Sequence, residues 1–318
     1  MPGFVFVRRH DTAISIALIL QLQTRGIDMP AHHAIRIAVG IALASSLLAC
    51  ASMPGTRAQA AAEVDQAWAV ADGPLLAEAI NDSWRSARSR VRDEYRHPQA
   101  TLEFFRVGSR ARVIEISPGA GWYTEILAPY LRDSGAYIAA TASAPADTGA
   151  GKRNAGLKAK FAADAEHYDR AQYLEYDGKT PSLGAPGSVD VVLTFRNVHN
   201  WVAADNADAY FKAFYDVLKP GGVLGVVDHR AKPGTSLADM KKSGYLSEDL
   251  VIELATRAGF RLDARSEINA NAKDTANHPN GVWTLPPTNR HDKKDAAKYA
   301  AVGESDRMTL RFVKPRLR

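Results

Sequence analysis

Apolar residues along this chain fall into short runs separated by polar, Gly- and Pro-containing stretches, and from residue 111 onward the runs alternate between two periods. Short segments rich in apolar residues predict strands over 111–116, 136–141, 172–176, 189–195 and 223–228. Amphipathic stretches between them predict helices over 122–131, near 158–166, over 205–218 and over 247–258. Ser247 followed by Glu248-Asp249 marks a helix start, and Gly259 marks its end. Two further strands are expected at 261–268 and 308–313, joined by a long irregular segment over 269–306. Ahead of the first strand, 63–106 reads as helical. Asn81 or Asp82 is a candidate cap, Arg85–Arg96 reads as a charged, solvated face, and Pro98 opens a short helix.

Strands alternating with helices imply a sheet covered on both faces, with right-handed crossovers. The expected class is therefore α/β, a doubly wound, mostly parallel seven-stranded sheet, Rossmann-like, with an antiparallel strand at the edge.

The chain has 318 residues, 46% apolar and 24% charged, which excludes wholesale disorder and a polytopic membrane protein. Forty basic and 35 acidic residues leave a formal charge of +5. The basic residues are scattered, without the aromatic-interleaved stripe of a nucleic-acid surface, so nucleic acid is not the expected partner. A single cysteine, Cys50, excludes an internal disulfide and a Cys-rich zinc site.

The position of Cys50 is informative. It ends the uncharged run Ile37–Ala49, thirteen residues long, which follows Arg36. That length suits a signal-peptide apolar segment and is short for a membrane span. Leu47-Leu48-Ala49-Cys50 resembles a bacterial lipobox, implying cleavage before Cys50 and lipidation of its thiol. The alternative is an ordinary secretory signal cut after Ala58-Gln59-Ala60. Met29-Pro30 would begin a signal peptide of normal size, with 1–28 an upstream extension. The expected organisation is 1–50 extension and signal, 51–62 flexible tether, and 63–318 one domain. The expected location is the periplasm, with a lipid anchor in the outer membrane as the only membrane contact.

The sharpest motif is Glu115-Ile116-Ser117-Pro118-Gly119-Ala120-Gly121, a strand running into an acid, a glycine turn and a helix. Glycines permit φ > 0 and close backbone approach, and the helix start offers free N–H groups. A dinucleotide site needs a small residue where Thr124 stands, and gains nothing from Glu115. Glu115 suits a ligand with a cationic or hydroxyl-rich end.

Glu115-x-Ser117-x-Gly119-x-Gly121 resembles motif I of class I S-adenosylmethionine-dependent methyltransferases. Ser188–Leu193 resembles the fourth-strand motif of that superfamily, and Leu218-Lys219-Pro220-Gly221-Gly222 its turn before the fifth strand. The stretches 122–129, 195–201 and 281–287 resemble a bacterial group of exported predicted methyltransferases. The resemblance implies S-adenosylmethionine as cofactor, held by Glu115, Ser117, Gly119, Gly121, Tyr123, Thr141 and Asp177. Thr141 stands where a carboxylate would hold the ribose hydroxyls, and Asp177-Gly178 is either an adenine contact or a plain turn. It implies methyl transfer to a small or medium acceptor, with the loop 196–201 facing the methyl group. His199, Arg196 and Asn197 are the candidate catalytic residues, His199 because imidazole titrates near neutral pH. A ligand-binding protein on the same fold is the alternative. His199, His229 and His278 lie in three loops without ligand spacing, so no metal site is expected.

Overall fold

The computed structural model describes residues 72–316. The expected signal segment, the lipobox-like stretch at Cys50 and the expected tether lie outside the described residues.

Seven strands form one sheet: β1 Arg112–Ile116, β2 Ala136–Ala142, β3 Gln172–Tyr176, β4 Val189–Phe195, β5 Leu218–His229, β6 Arg261–Ser266 and β7 Arg307–Val313. Their order is β3-β2-β1-β4-β5-β7-β6. β1 to β5 pair in parallel, and β7 runs antiparallel between β5 and β6. The chain reverses direction across the sheet between β3 and β4, so the ends of β1 and β4 open side by side, where ligands bind in such sheets.

Residue alternation divides the core into two layers. Ile114, Ile116, Ile138, Val192, Leu224 and Leu310 face one layer, covered by helices Ala207–Val217 and Glu248–Arg257. Val113, Tyr137, Val191, Leu193 and Val227 face the other, covered by helices 72–81, Pro98–Phe104 and Thr124–Leu131. Burial on both faces explains why the central strands read as apolar runs rather than as alternation.

Asp190 ties the strand starts together. It accepts hydrogen bonds from the Arg112 backbone N–H at 2.9 Å and from Lys219 Nζ at 2.6 Å. Lys219-Pro220-Gly221-Gly222 belongs to β5 rather than to a preceding turn. Gly221 adopts φ +88° there, and its N–H reaches Lys314 O at 2.8 Å.

The segment Arg85–Arg96 is neither one helix nor a solvated face. Ser86 caps a short turn, Ala87–Arg90, and a second begins at Asp93. Arg85 is buried, bonded to Ile80 O at 2.6 Å and to Asp93 at 2.8 and 3.0 Å. Arg96 is 3% exposed. These arginines turn inward because carboxylates lie inside, one of them more than two hundred residues away.

Candidate active site

A cavity of about 700 Å³ opens at the carboxyl ends of β1, β2, β4 and β5. Glu115, Ser117, Gly119, Tyr123, Thr141, Arg196, Asn197 and His199 all line it. Gly121 and Asp177 are not among its lining residues.

The glycine loop has the backbone that its sequence implies. Gly119 adopts φ +65°, with open space where a Cβ would stand, so its face is free for a ligand. Gly121 adopts φ +80° and a Cβ there would meet Leu157 and Thr124 at 3.1 and 3.2 Å, so it serves packing. Ser117 at φ +50° and Arg196 at φ +62° are left-handed without being glycine. Both stand where a strand (β1 or β4) runs out into the cavity, and such strain concentrates at functional sites.

Glu115 is buried on the Val113 face of β1, where Tyr137 O–H donates to it at 2.6 Å and Thr124 O–H at 3.2 Å. Burial pushes its carboxyl up to about 7, against the lowering effect of those two hydrogen bonds. Thr141 Oγ1 is 2.6 Å from the Tyr173 hydroxyl, so its side chain is engaged within the sheet. Asp177 accepts hydrogen bonds from Lys179 N–H at 2.8 Å and Thr180 O–H at 3.0 Å, the turn of the two readings. Tyr123 stacks on Phe195 with ring centres 3.7 Å apart. Asn197 Nδ2 donates to Ile116 O at 2.9 Å, fastening the loop after β4 to the end of β1.

The loop 196–201 is largely a helical turn, Val198–Ala203. It delivers His199 to the cavity wall, with Nδ1 2.9 Å from Asp228 Oδ1 near the end of β5. Asp228 is fully buried and accepts further hydrogen bonds from the backbone N–H of His229 at 2.8 Å and of His199 at 3.3 Å. Its carboxylate is thereby fixed, and it fixes the imidazole. His229 Nδ1 pairs with Ser305 Oγ at 2.6 Å. Burial first, then the charges of His199, Arg196, Arg307 and Arg96, hold His229 well below the usual histidine range, so it is neutral at pH 7.

His199, Asp228 and His229 also bring ligand atoms within 4.8 Å of one another, a grouping that the loop positions did not reveal. His278 lies apart, paired with Asp274 at 2.8 Å.

Sequence reading missed Glu304 altogether. It is 2% exposed and receives Arg92 Nε at 2.7 Å, Arg96 Nε at 3.2 Å and Arg307 Nη1 at 3.1 Å, with Arg196 Nη1 at 3.8 Å. Burial alone would raise this carboxyl, but the arginines outweigh it and hold it down to about 2.

Residues 114–226, a little over a third of the chain, match the family model described as a methyltransferase domain. No curated protein matches the chain. A SAM-dependent methyltransferase from Aquifex aeolicus is 14% identical, over 70% of this chain and 92% of that one, with a TM-score of 0.47. The 4+2 cyclase SpnF is 17% identical, over 80% and 96% of the two chains, with a TM-score of 0.49. An S-adenosylmethionine-dependent methyltransferase from Mesorhizobium loti is 13% identical, over 64% and 90%, with a TM-score of 0.39. These are likenesses of fold. Residues 114–226 therefore resemble a methyltransferase domain, and the cofactor that this similarity implies is S-adenosylmethionine.

Proposed function

We propose that the protein moves a methyl group from S-adenosylmethionine to a hydroxyl or amine of a small acceptor, with His199 as general base and Asp228 as the residue that positions it. The observation that carries this reading is the buried His199–Asp228 pair on the wall of the cavity that the glycine loop also lines. The open face of Gly119 fits a ligand lying against the loop, and Glu115, Ser117 and Gly119 are the residues that would hold the cofactor. When bound, the cofactor supplies an electrophilic methyl on a sulfonium.

The chain's own work is alignment, exclusion of water and movement of one proton. With Nδ1 directed at Asp228, His199 Nε2 is the atom that takes the proton from the acceptor. Asp228 then stabilises the imidazolium. His229, kept neutral, does not compete as a charged donor. Trp283, whose ring centre is 6.0 Å from that of His199, shields the proton transfer from solvent. Radiolabelled S-adenosylmethionine offered with a panel of hydroxyl and amine acceptors tests the reading. His199→Ala should abolish turnover and leave S-adenosylhomocysteine binding intact. Unchanged turnover would remove His199 from the mechanism.

One observation favours a second reading, a binding protein on this fold. The end of β2 offers no carboxylate for a ribose, and the Thr141 hydroxyl is engaged with Tyr173. Calorimetric titration with S-adenosylhomocysteine separates the two, because absence of binding to folded protein favours the second.

The leader ending at Cys50 supports an exported protein of the predicted-methyltransferase kind, lipid-anchored in the outer membrane. Cys50→Ala should then release the protein into the soluble fraction, and a mature N-terminus after Ala60 would exclude the anchor.

A further inference from the structure

Among the described residues that line the cavity, five are arginines (Arg88, Arg92, Arg96, Arg153 and Arg196) and Glu115 is the single carboxylate. Glu304, behind the wall, neutralises one charge. It is shared by Arg92, Arg96, Arg196 and Arg307, so this group alone keeps an excess of three positive charges. Arg307 is fully occupied, donating to Glu304, to Ser305 O at 3.1 Å and to Tyr95 O at 2.6 Å. Arg96 is not. Its Nη2 is buried and has no hydrogen-bond partner, while the guanidinium carbon sits 4.6 Å from the Trp122 ring centre. Arg196 approaches Glu304 only at 3.8 Å, and its side chain is one-quarter exposed on the cavity side. Burial, then the charge of Arg196, lowers Arg96 to about 9.

A buried guanidinium donor without an acceptor costs free energy unless a ligand supplies one. Guanidinium forks match planar carboxylates and phosphates. We infer that the acceptor carries a carboxylate or phosphate group, which Arg96 and Arg196 grip, with Arg92 beside them, while its nucleophilic atom points toward His199. Arg88 and Arg153, exposed at the rim, draw such anions inward. The inference rests on the methyl-transfer reading, since an anionic acceptor also offsets the charge of a sulfonium cofactor in a cationic pocket.

The test uses purified full-length protein in two stages. Calorimetry with S-adenosylhomocysteine first establishes cofactor binding by itself. The protein saturated with S-adenosylhomocysteine is then titrated with phenyl phosphate, benzoate and benzyl alcohol. At least one anion should bind and the neutral alcohol should not, the stronger of the two anions assigning phosphate or carboxylate. Arg196→Gln should weaken that anion by roughly tenfold or more, the worth of one charge-assisted hydrogen bond, while melting cooperatively and binding S-adenosylhomocysteine as before. The inference is overturned if no probe binds, if alcohol and anions bind alike, or if Arg196→Gln is indifferent. Mutual exclusion of anion and S-adenosylhomocysteine would also overturn it, by giving the arginines to the cofactor's own carboxylate. Failure of S-adenosylhomocysteine alone, with anions still bound, would sink the methyl-transfer reading and not the anion subsite.

Discussion

His199 Nδ1 and Asp228 Oδ1 lie 2.9 Å apart although 29 positions separate them in the chain, and both side chains are almost wholly buried. One belongs to the turn after β4 and the other to the neighbouring strand β5, so the sheet itself sets the spacing. Asp228→Asn keeps the shape but weakens the hold on the imidazole. Turnover should fall by roughly 10²–10⁴, the range for loss of a positioned base. S-adenosylhomocysteine affinity should not change, and the pH–rate profile should shift on its acidic limb. A purely structural role for Asp228 would move the melting temperature and leave the profile in place.

Arg196 combines backbone strain with an undercompensated charge, lowered to about 10 by burial and by the nearby arginines. Arg196→Gly should therefore stabilise the fold by about 1 kcal/mol, through relief of the left-handed conformation. The same variant should lose anion binding. Denaturant midpoints and anion titration, measured on one preparation, check both halves.

Glu115 makes stability fall with rising pH. Its folded-state value is raised from 4.5 to about 7, so the folded state holds the proton more tightly than the unfolded one. The contribution is complete below pH 4.5 and lost as pH climbs toward 7, on the order of 3 kcal/mol in all. Glu304 acts in the opposite sense. Lowered from 4.5 to about 2, it contributes above pH 4.5 and fails as pH drops toward 2. Glu115→Gln should flatten the melting-temperature decline between pH 4.5 and 7 and leave the acid limb unaltered. A decline as steep as in the parent chain would exclude Glu115 as its source.

Thr141 tests how the cofactor side is built. Thr141→Val removes the partner of the Tyr173 hydroxyl and should cost about 1 kcal/mol. S-adenosylhomocysteine affinity should stay at the parent value. A marked loss of affinity would show that the hydroxyl leaves Tyr173 for the ligand.

Strands β3 and β4 occupy the positions that the sequence predicts, because short segments rich in apolar and aromatic residues between turn residues admit few other readings. The Ser247 cap is likewise local chemistry, its hydroxyl accepting from Leu250 N–H at 3.3 Å. The glycine loop is legible because residue type encodes left-handed backbone there. Ser117 and Arg196 adopt the same conformation with no such code, since it is imposed by strand ends packed side by side. The inward turn of Arg96 was illegible for another reason: its carboxylate stands 208 positions away, in a segment without periodicity. Short helices such as Val198–Ala203 and Leu237–Ser243 were missed because they span too few turns to show an apolar stripe.

The insertion of β7 between β5 and β6 has a bearing on how the chain acquires its site. Hydrogen bonds from β7 to both neighbours cannot form until residue 313 is available, and Glu304 precedes that strand by only a few positions. A nascent chain still attached to a ribosome thus holds a five-stranded sheet, an unpaired β6 and a set of arginines awaiting their counter-ion. The wall of the cavity that Glu304 backs is thus completed only after β7 has been synthesised.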